Sequence, residues 1–116
     1  MATEILQRQS FRVGEVIFSA GEPPQFAYLI QSGRVQIFVE QEGEKKLLST
    51  LEAGDILGEM GLVDTELRSA SAVAEDPTTC IVITPKDFER RLKNSDSFVR
   101  AMVKVLTKRL RKTIGT

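Results

Sequence analysis

Glycines recur about every ten residues along the first half of the chain, at positions 14, 21, 33, 43 and 54, with short apolar runs between them. That spacing is typical of an all-β sandwich or barrel. Residues 11–84 read accordingly as short strands punctuated by turns. Phe11-Arg12 is a lead-in and Val16-Ile17-Phe18 a strand. Ala20-Gly21-Glu22-Pro23-Pro24 is a breaker cluster. Ala27–Gln31 is expected to pair with Arg34–Val39 across Ser32-Gly33 as a two-residue hairpin. Val35, Ile37 and Val39 alternate with Arg34, Gln36 and Phe38, which predicts that the first set faces the core. Gln41–Lys45 reads as an exposed charged turn, Lys46–Leu51 as the next strand, and Glu52-Ala53-Gly54-Asp55 as a turn. Arg68–Ala74 and Thr78–Thr84 follow as strands.

The pattern changes at Thr84-Pro85-Lys86-Asp87. Thr84 is placed to cap a helix, Pro85 suits its first position, and Asp87 completes a variant capping box. A helix is expected over residues 85–93, with Phe88 and Leu92 on one face. Ser95 or Asp96 can cap a second helix, over 95–113. There Val99, Met102, Val103, Leu106 and Leu110 recur at helical spacing, and Val105 widens the stripe. With 116 residues, the chain reads as a single domain able to bury its own core.

Composition excludes several chemistries. Histidine is absent, which removes a histidine-based metal site, a Ser-His-Asp triad and a Cys-His pair. The single cysteine, Cys80, lies in the apolar run Cys80-Ile81-Val82-Ile83 and reads as core; a reducing, cytoplasmic setting fits it. Sixteen basic residues balance sixteen acidic ones, so bulk charge predicts no polyanionic partner and no direct DNA binding. No apolar run approaches the roughly 20 residues that span a bilayer, so no membrane attachment is expected. The N-terminus lacks a basic flank followed by an apolar region.

The stretch with chemical content is Gly58–Ala72. Arg68 is the only Lys or Arg between Lys46 and Lys86, whereas seven acids occupy the same interval. A lone guanidinium among acids and small residues suggests a site for one anion, because its planar fork meets phosphate oxygens two at a time. Gly58 and Gly61 let backbone N–H groups approach a ligand. Glu59 would then be free to accept from hydroxyls. The plainer reading makes Arg68 a strand-edge residue paired with Glu66 or Glu75, and Glu59 a solvated turn residue.

Leu57-Gly58-Glu59-Met60-Gly61-Leu62, followed nine residues after Glu59 by Leu67-Arg68-Ser69-Ala70-Ser71, resembles the phosphate-binding cassette of cyclic nucleotide-binding domains. These are regulatory modules of cyclic-nucleotide-dependent kinases, cyclic-nucleotide-gated channels and the catabolite activator protein. Leu57 stands where the family usually has Phe, and Leu67 where it has Pro. The resemblance implies a mainly β fold, an antiparallel β-roll (jelly roll) followed by C-terminal helices. It implies cAMP or cGMP as ligand, with no other cofactor and no enzymatic activity. Glu59 inherits the ribose 2′-hydroxyl, Arg68 the cyclic phosphate, and the N–H groups of Met60, Gly61 and Ala70 the phosphate oxygens. The Ser69 hydroxyl suits either the base or the phosphate.

From residue 97 onward there are six basic residues and no acid. They read either as a solvated helix face favourable near a helix C-terminus or as an attachment surface. In the resembled family the last helix lids the nucleotide or pairs in a dimer. The expectation is therefore a sensor whose C-terminal helix folds over the roll, with Met102, Val103 or Leu106 reaching the base. An effector protein or a second copy would dock on that helix. The alternative is an interaction module of the same fold that has lost nucleotide binding, for which the acidic loop Asp64–Glu66 is the best support. A cupin-like enzyme is disfavoured by the missing histidines.

Overall fold

The computed structural model describes residues 7–113. Eight strands form two antiparallel four-stranded sheets. The first has the order β1 (Gln7–Phe11), β8 (Thr78–Ile83), β3 (Ala27–Ser32), β6 (Ile56–Leu57). The second has the order β2 (Val16–Phe18), β7 (Ser71–Ala74), β4 (Arg34–Gln41), β5 (Glu44–Glu52). A short helix, α1 (Glu59–Asp64), interrupts the strands, and α2 (Pro85–Lys93) and α3 (Ser97–Thr113) follow them. This is the β-roll with C-terminal helices that the resemblance implies.

The two sheets close on one core. Val35, Ile37 and Val39 point inward, while Phe38 faces out beneath the Lys45 ammonium, 4.2 Å from its ring centroid. Ile30, Tyr28 and Cys80 meet them from the opposite sheet. Fully burying a side chain such as Ile30 or Val35 contributes about 1.5–3 kcal/mol. Ala70, Ala72 and Ala74 are small enough to let the sheets approach. Burial raises the Cys80 thiol to about 11, so it is an inert core residue.

Three sequence expectations are corrected. The roll starts at β1, pairing Gln7 with Val82 and Phe11 with Thr78, four residues before the expected lead-in. Residues 7–10 are exposed at a sheet edge, so no hydrophobic alternation announces them. Next, β3 and β4 do not form a hairpin: β3 pairs with β8 and β6, and β4 with β7 and β5. Ser32-Gly33 is a corner at which the chain changes sheet. The actual tight hairpin joins β4 to β5 through Glu42-Gly43, both at positive φ. Finally, Arg68–Ala70 precede β7 and lie against the loop at Gly21-Glu22. Arg68 N–H donates to Glu22 O at 2.8 Å, and Gly21 N–H to Arg68 O at 2.8 Å.

Thr84 caps α2, its Oγ1 accepting from the Asp87 N–H at 3.1 Å. The Asp87 carboxylate is committed to Arg90 and Arg91. Asp96 caps α3, accepting from the Phe98 N–H at 2.7 Å, so this helix starts at Ser97. The apolar stripe of α3 is largely uncovered: Val99, Met102, Leu106 and Leu110 are 40–47% exposed. The buried position is Thr107, whose hydroxyl donates to Val103 O at 2.7 Å. Among the described residues no helix is long and apolar enough to cross a membrane.

The sheet-changing corner is tightly determined. Gly33 has φ of 102°, and a Cβ there would lie 2.5 Å from Pro77 O and 2.6 Å from Thr78 Cα. Buried Thr78 pins the same corner, accepting from the Arg34 N–H at 3.2 Å and donating to Asp76 O at 2.8 Å. Gly33→Ala is therefore expected to destabilise the domain by about 2–4 kcal/mol, combining positive-φ strain with overpacking. Urea unfolding checks this, and an unshifted midpoint would show that the corner tolerates a side chain.

Candidate functional site

The site is built where β6 leaves the first sheet. Gly58, at φ of 80°, turns the chain into α1, and a Cβ there would sit 2.7 Å from Arg68 Nη1. Glycine is thus required both by the turn and by the arginine beneath it. Gly61 is buried against Pro24, with no space for a side chain. The first turn of α1 carries Glu59, Met60 and Gly61, whose backbone N–H groups have no partner within the helix.

Arg68 is 7% exposed. Its Nη1 donates to Gly58 O at 2.8 Å and its Nη2 to Phe26 O at 2.5 Å. The guanidinium carbon lies 4.2 Å from the centre of the Phe18 ring, a cation–π distance. Nε is buried without a hydrogen-bond partner. Among the described residues no carboxylate pairs with Arg68, so the plainer reading, a partnership with Glu66 or Glu75, does not hold. Burial draws its pKa below the ordinary value while Tyr28, Glu22 and Glu59 oppose that shift. An arginine nevertheless stays charged.

Glu59 is partly buried beside it. Desolvation holds its carboxyl above the usual range, against the opposing effects of its own backbone N–H and of Arg68. Gly58, Glu59, Met60, Gly61, Arg68, Ser69 and Ala70 all line one cavity of about 290 Å³. Its far wall is apolar and comes from Ile37, Leu48, Leu51 and Ile56, with Ser49 among them.

Sequence reasoning missed several contributors. The Phe18 platform and the Phe26 carbonyl left no trace beyond being part of a strand and a loop. Leu110 and Arg111, in the last turns of α3, also line the cavity, whereas Met102, Val103 and Leu106 do not. Arg111 pairs with Asp64 through Nε and Nη2, the latter at 3.0 Å, and Nη1 donates to Leu67 O at 3.0 Å. Asp64 also accepts from the Glu66 N–H at 3.0 Å. Burial would raise the Asp64 carboxyl, but the Arg111 and Glu66 hydrogen bonds outweigh it, and its pKa lies below the ordinary value. The acidic loop is thus partly neutralised by the basic helix.

An antiparallel β-roll followed by C-terminal helices, with one buried arginine in a glycine-rich cassette on the wall of a cavity, has the architecture of a ligand-binding domain. Residues 8–95 match the cyclic nucleotide-binding domain family, and the chain belongs to that family. It is 32% identical over 112 residues to the cyclic AMP receptor protein of Thermus thermophilus, covering 96% of this chain and 52% of that one. It is 34% identical over 92 residues to a cGMP-dependent protein kinase of Eimeria tenella, covering 79% of this chain and 9% of the kinase. The chain thus spans about half of the receptor protein and a small part of the kinase. The cAMP-bound form of the EAL enzyme Bd1971 superposes with a TM-score of 0.86 at 36% identity, covering 94% of this chain and 29% of that one. Its cGMP-bound form gives 0.87 at 34% identity, covering 92% and 29%.

The raised pKa of Glu59 makes a prediction about stability. The native state keeps this proton to a higher pH than an exposed glutamate does, so ionising Glu59 costs stability as pH rises through that interval. Glu59→Gln removes the charge and keeps the shape. The variant should melt above the wild type at neutral pH, and this gain should shrink as acidification protonates the wild-type residue. Calorimetric melting temperatures across pH test it; a variant less stable at neutral pH would contradict the assigned cost.

Proposed function

We propose that this chain binds a cyclic mononucleotide, cAMP or cGMP, and serves as a regulatory module without catalytic activity of its own. The observation that carries this reading is Arg68, a buried cation with no paired carboxylate among the described residues, on the wall of a cavity shared with Glu59. A buried charge is costly without a compensating one, and a cyclic phosphate supplies it. Two of the five guanidinium N–H groups donate to Gly58 and Phe26 carbonyls, which hold the fork in place. The remaining donors, the Nε–H among them, are available to the phosphate without breaking those bonds.

The other roles follow from position. The N–H groups of Met60, Gly61 and Ala70 donate to the phosphate oxygens, and Glu59 accepts from the ribose 2′-hydroxyl. The Ser69 hydroxyl serves the phosphate or the base. The apolar wall of Ile37, Leu48, Leu51 and Leu110 suits the flat face of a purine. Because Leu110 and Arg111 reach the cavity, α3 closes it with its last turns, and ligand binding shifts the position of that helix. Its exposed stripe would carry the output to an effector or a second copy, in a cytoplasmic setting. The reading as an interaction module that has lost its ligand is weakened, since the acidic loop that supported it has Asp64 turned to Arg111.

Calorimetric titration with cAMP and cGMP tests the proposal, and binding of neither would defeat it. Arg68→Ala should weaken binding by roughly 2–5 kcal/mol, as for cutting one side of a buried charged pair, and Arg68→Lys by less, since Lys keeps the charge but loses the fork. Because Arg68 also braces Gly58 and Phe26, thermal unfolding of each variant should accompany the titration. Glu59→Gln should cost about 1–3 kcal/mol of binding. A 2′-deoxy cyclic nucleotide should be penalised by the wild type and much less by this variant; equal penalties would remove Glu59 from the ribose.

A further inference from the structure

Arg111 and Asp64 stand 47 residues apart in the chain and form a two-pronged ion pair across the edge of the cavity. Their side chains are 17% and 25% exposed, so the pair is better shielded than an ordinary surface bridge. The third bond, from Arg111 Nη1 to Leu67 O, falls on the residue preceding Arg68. One side chain of α3 thus grips both ends of the segment that joins α1 to the buried arginine. Little else in the last three turns of α3 is covered: Thr107 is buried, while Leu106 and Leu110 are each 47% exposed.

We propose that Arg111 is a positioning residue for this site: its clasp on Asp64 docks the end of α3 on the cassette before ligand arrives, and sets how long a ligand is retained. The retention half rests on the nucleotide-binding reading above; the docking half does not. The clasp also gives a use to two sequence features that nucleotide contact leaves unexplained, the acid at the end of α1 and the basic end of α3. Lys104, Lys108 and Lys112 line the groove between α3 and the cassette loop, with Glu66 facing them, so added salt should loosen the same contact.

The test is a double-mutant cycle of Asp64→Asn and Arg111→Gln in the full chain, read in two ways. In the ligand-free protein, hydrogen exchange of amides 104–113 should speed up in both single variants, at least as much in Arg111→Gln, which also loses the Leu67 bond, and no further in the double variant than in Arg111→Gln. Stopped-flow release of a fluorescent cyclic nucleotide should accelerate on the order of tenfold in each single variant, and the double variant should release no faster than Arg111→Gln, a coupling of ordinary size. Wild-type release should also quicken with sodium chloride more steeply than release from the variants. Unchanged exchange in Asp64→Asn would overturn the docking. Additive release rates would show that Arg111 acts through its charge on the ligand rather than through Asp64, and would overturn the clasp. If the wild type binds no cyclic nucleotide, the retention half falls with the proposed function, and exchange alone decides the docking.

Discussion

The Arg68 guanidinium is where separate parts of this chain meet. Its plane rests on Phe18 of β2, one arm holds the carbonyl at Gly58, and the other holds the carbonyl at Phe26 before β3. Its backbone bonds to Gly21 and Glu22. One residue thus ties the 18–26 stretch to the start of the cassette, its side chain reaching Phe18, Phe26 and Gly58 and its backbone Gly21 and Glu22. An ion pair would have satisfied it more simply, but carbonyl dipoles and a ring face stabilise a cation without neutralising it. The charge survives, aimed at a cavity, while the fold is kept.

This arrangement explains which parts of the architecture were legible in the sequence. Val35, Ile37 and Val39 alternate with outward residues, so their burial follows from strand periodicity alone. Thr84-Pro85 marks the start of α2 because a cap and a proline act within one turn. The cassette residues were legible as a group because glycines and a solitary cation are local features. What escaped is what depends on tertiary pairing. Ser32-Gly33 looks like a hairpin turn, yet the close approach of Thr78 to Gly33 makes it a corner between sheets. Gln7–Ser10 shows no apolar alternation because an edge strand exposed on both faces needs none.

Charge shows the same division. The acids at 64 and 66 and the basic end of α3 each looked unfavourable or neutral when read alone. Brought together, Asp64 and Arg111 satisfy one another, and the acid no longer opposes an anion at Arg68. No spacing rule joins positions 47 residues apart, so this could come only from the fold. Local charge counts overstated the repulsion, because a carboxylate's effect on a neighbouring site depends on where it points.

The bonds that would hold a ligand and those that would report it are carried by different elements. Arg68, Gly58 and Phe26 belong to the roll, and the bonds among them involve no residue of α3. A ligand shifts an equilibrium only by its differential affinity for the two states. Carrying a helix from about 1:99 to 99:1 docked takes roughly 5.5 kcal/mol of such difference. Only Leu110 and Arg111 bring α3 to the cavity, so any such difference has to arise largely at the end of the ligand that touches them. In a switch of this kind the phosphate anchors the ligand, and the part of it facing the last turns of α3 carries the signal.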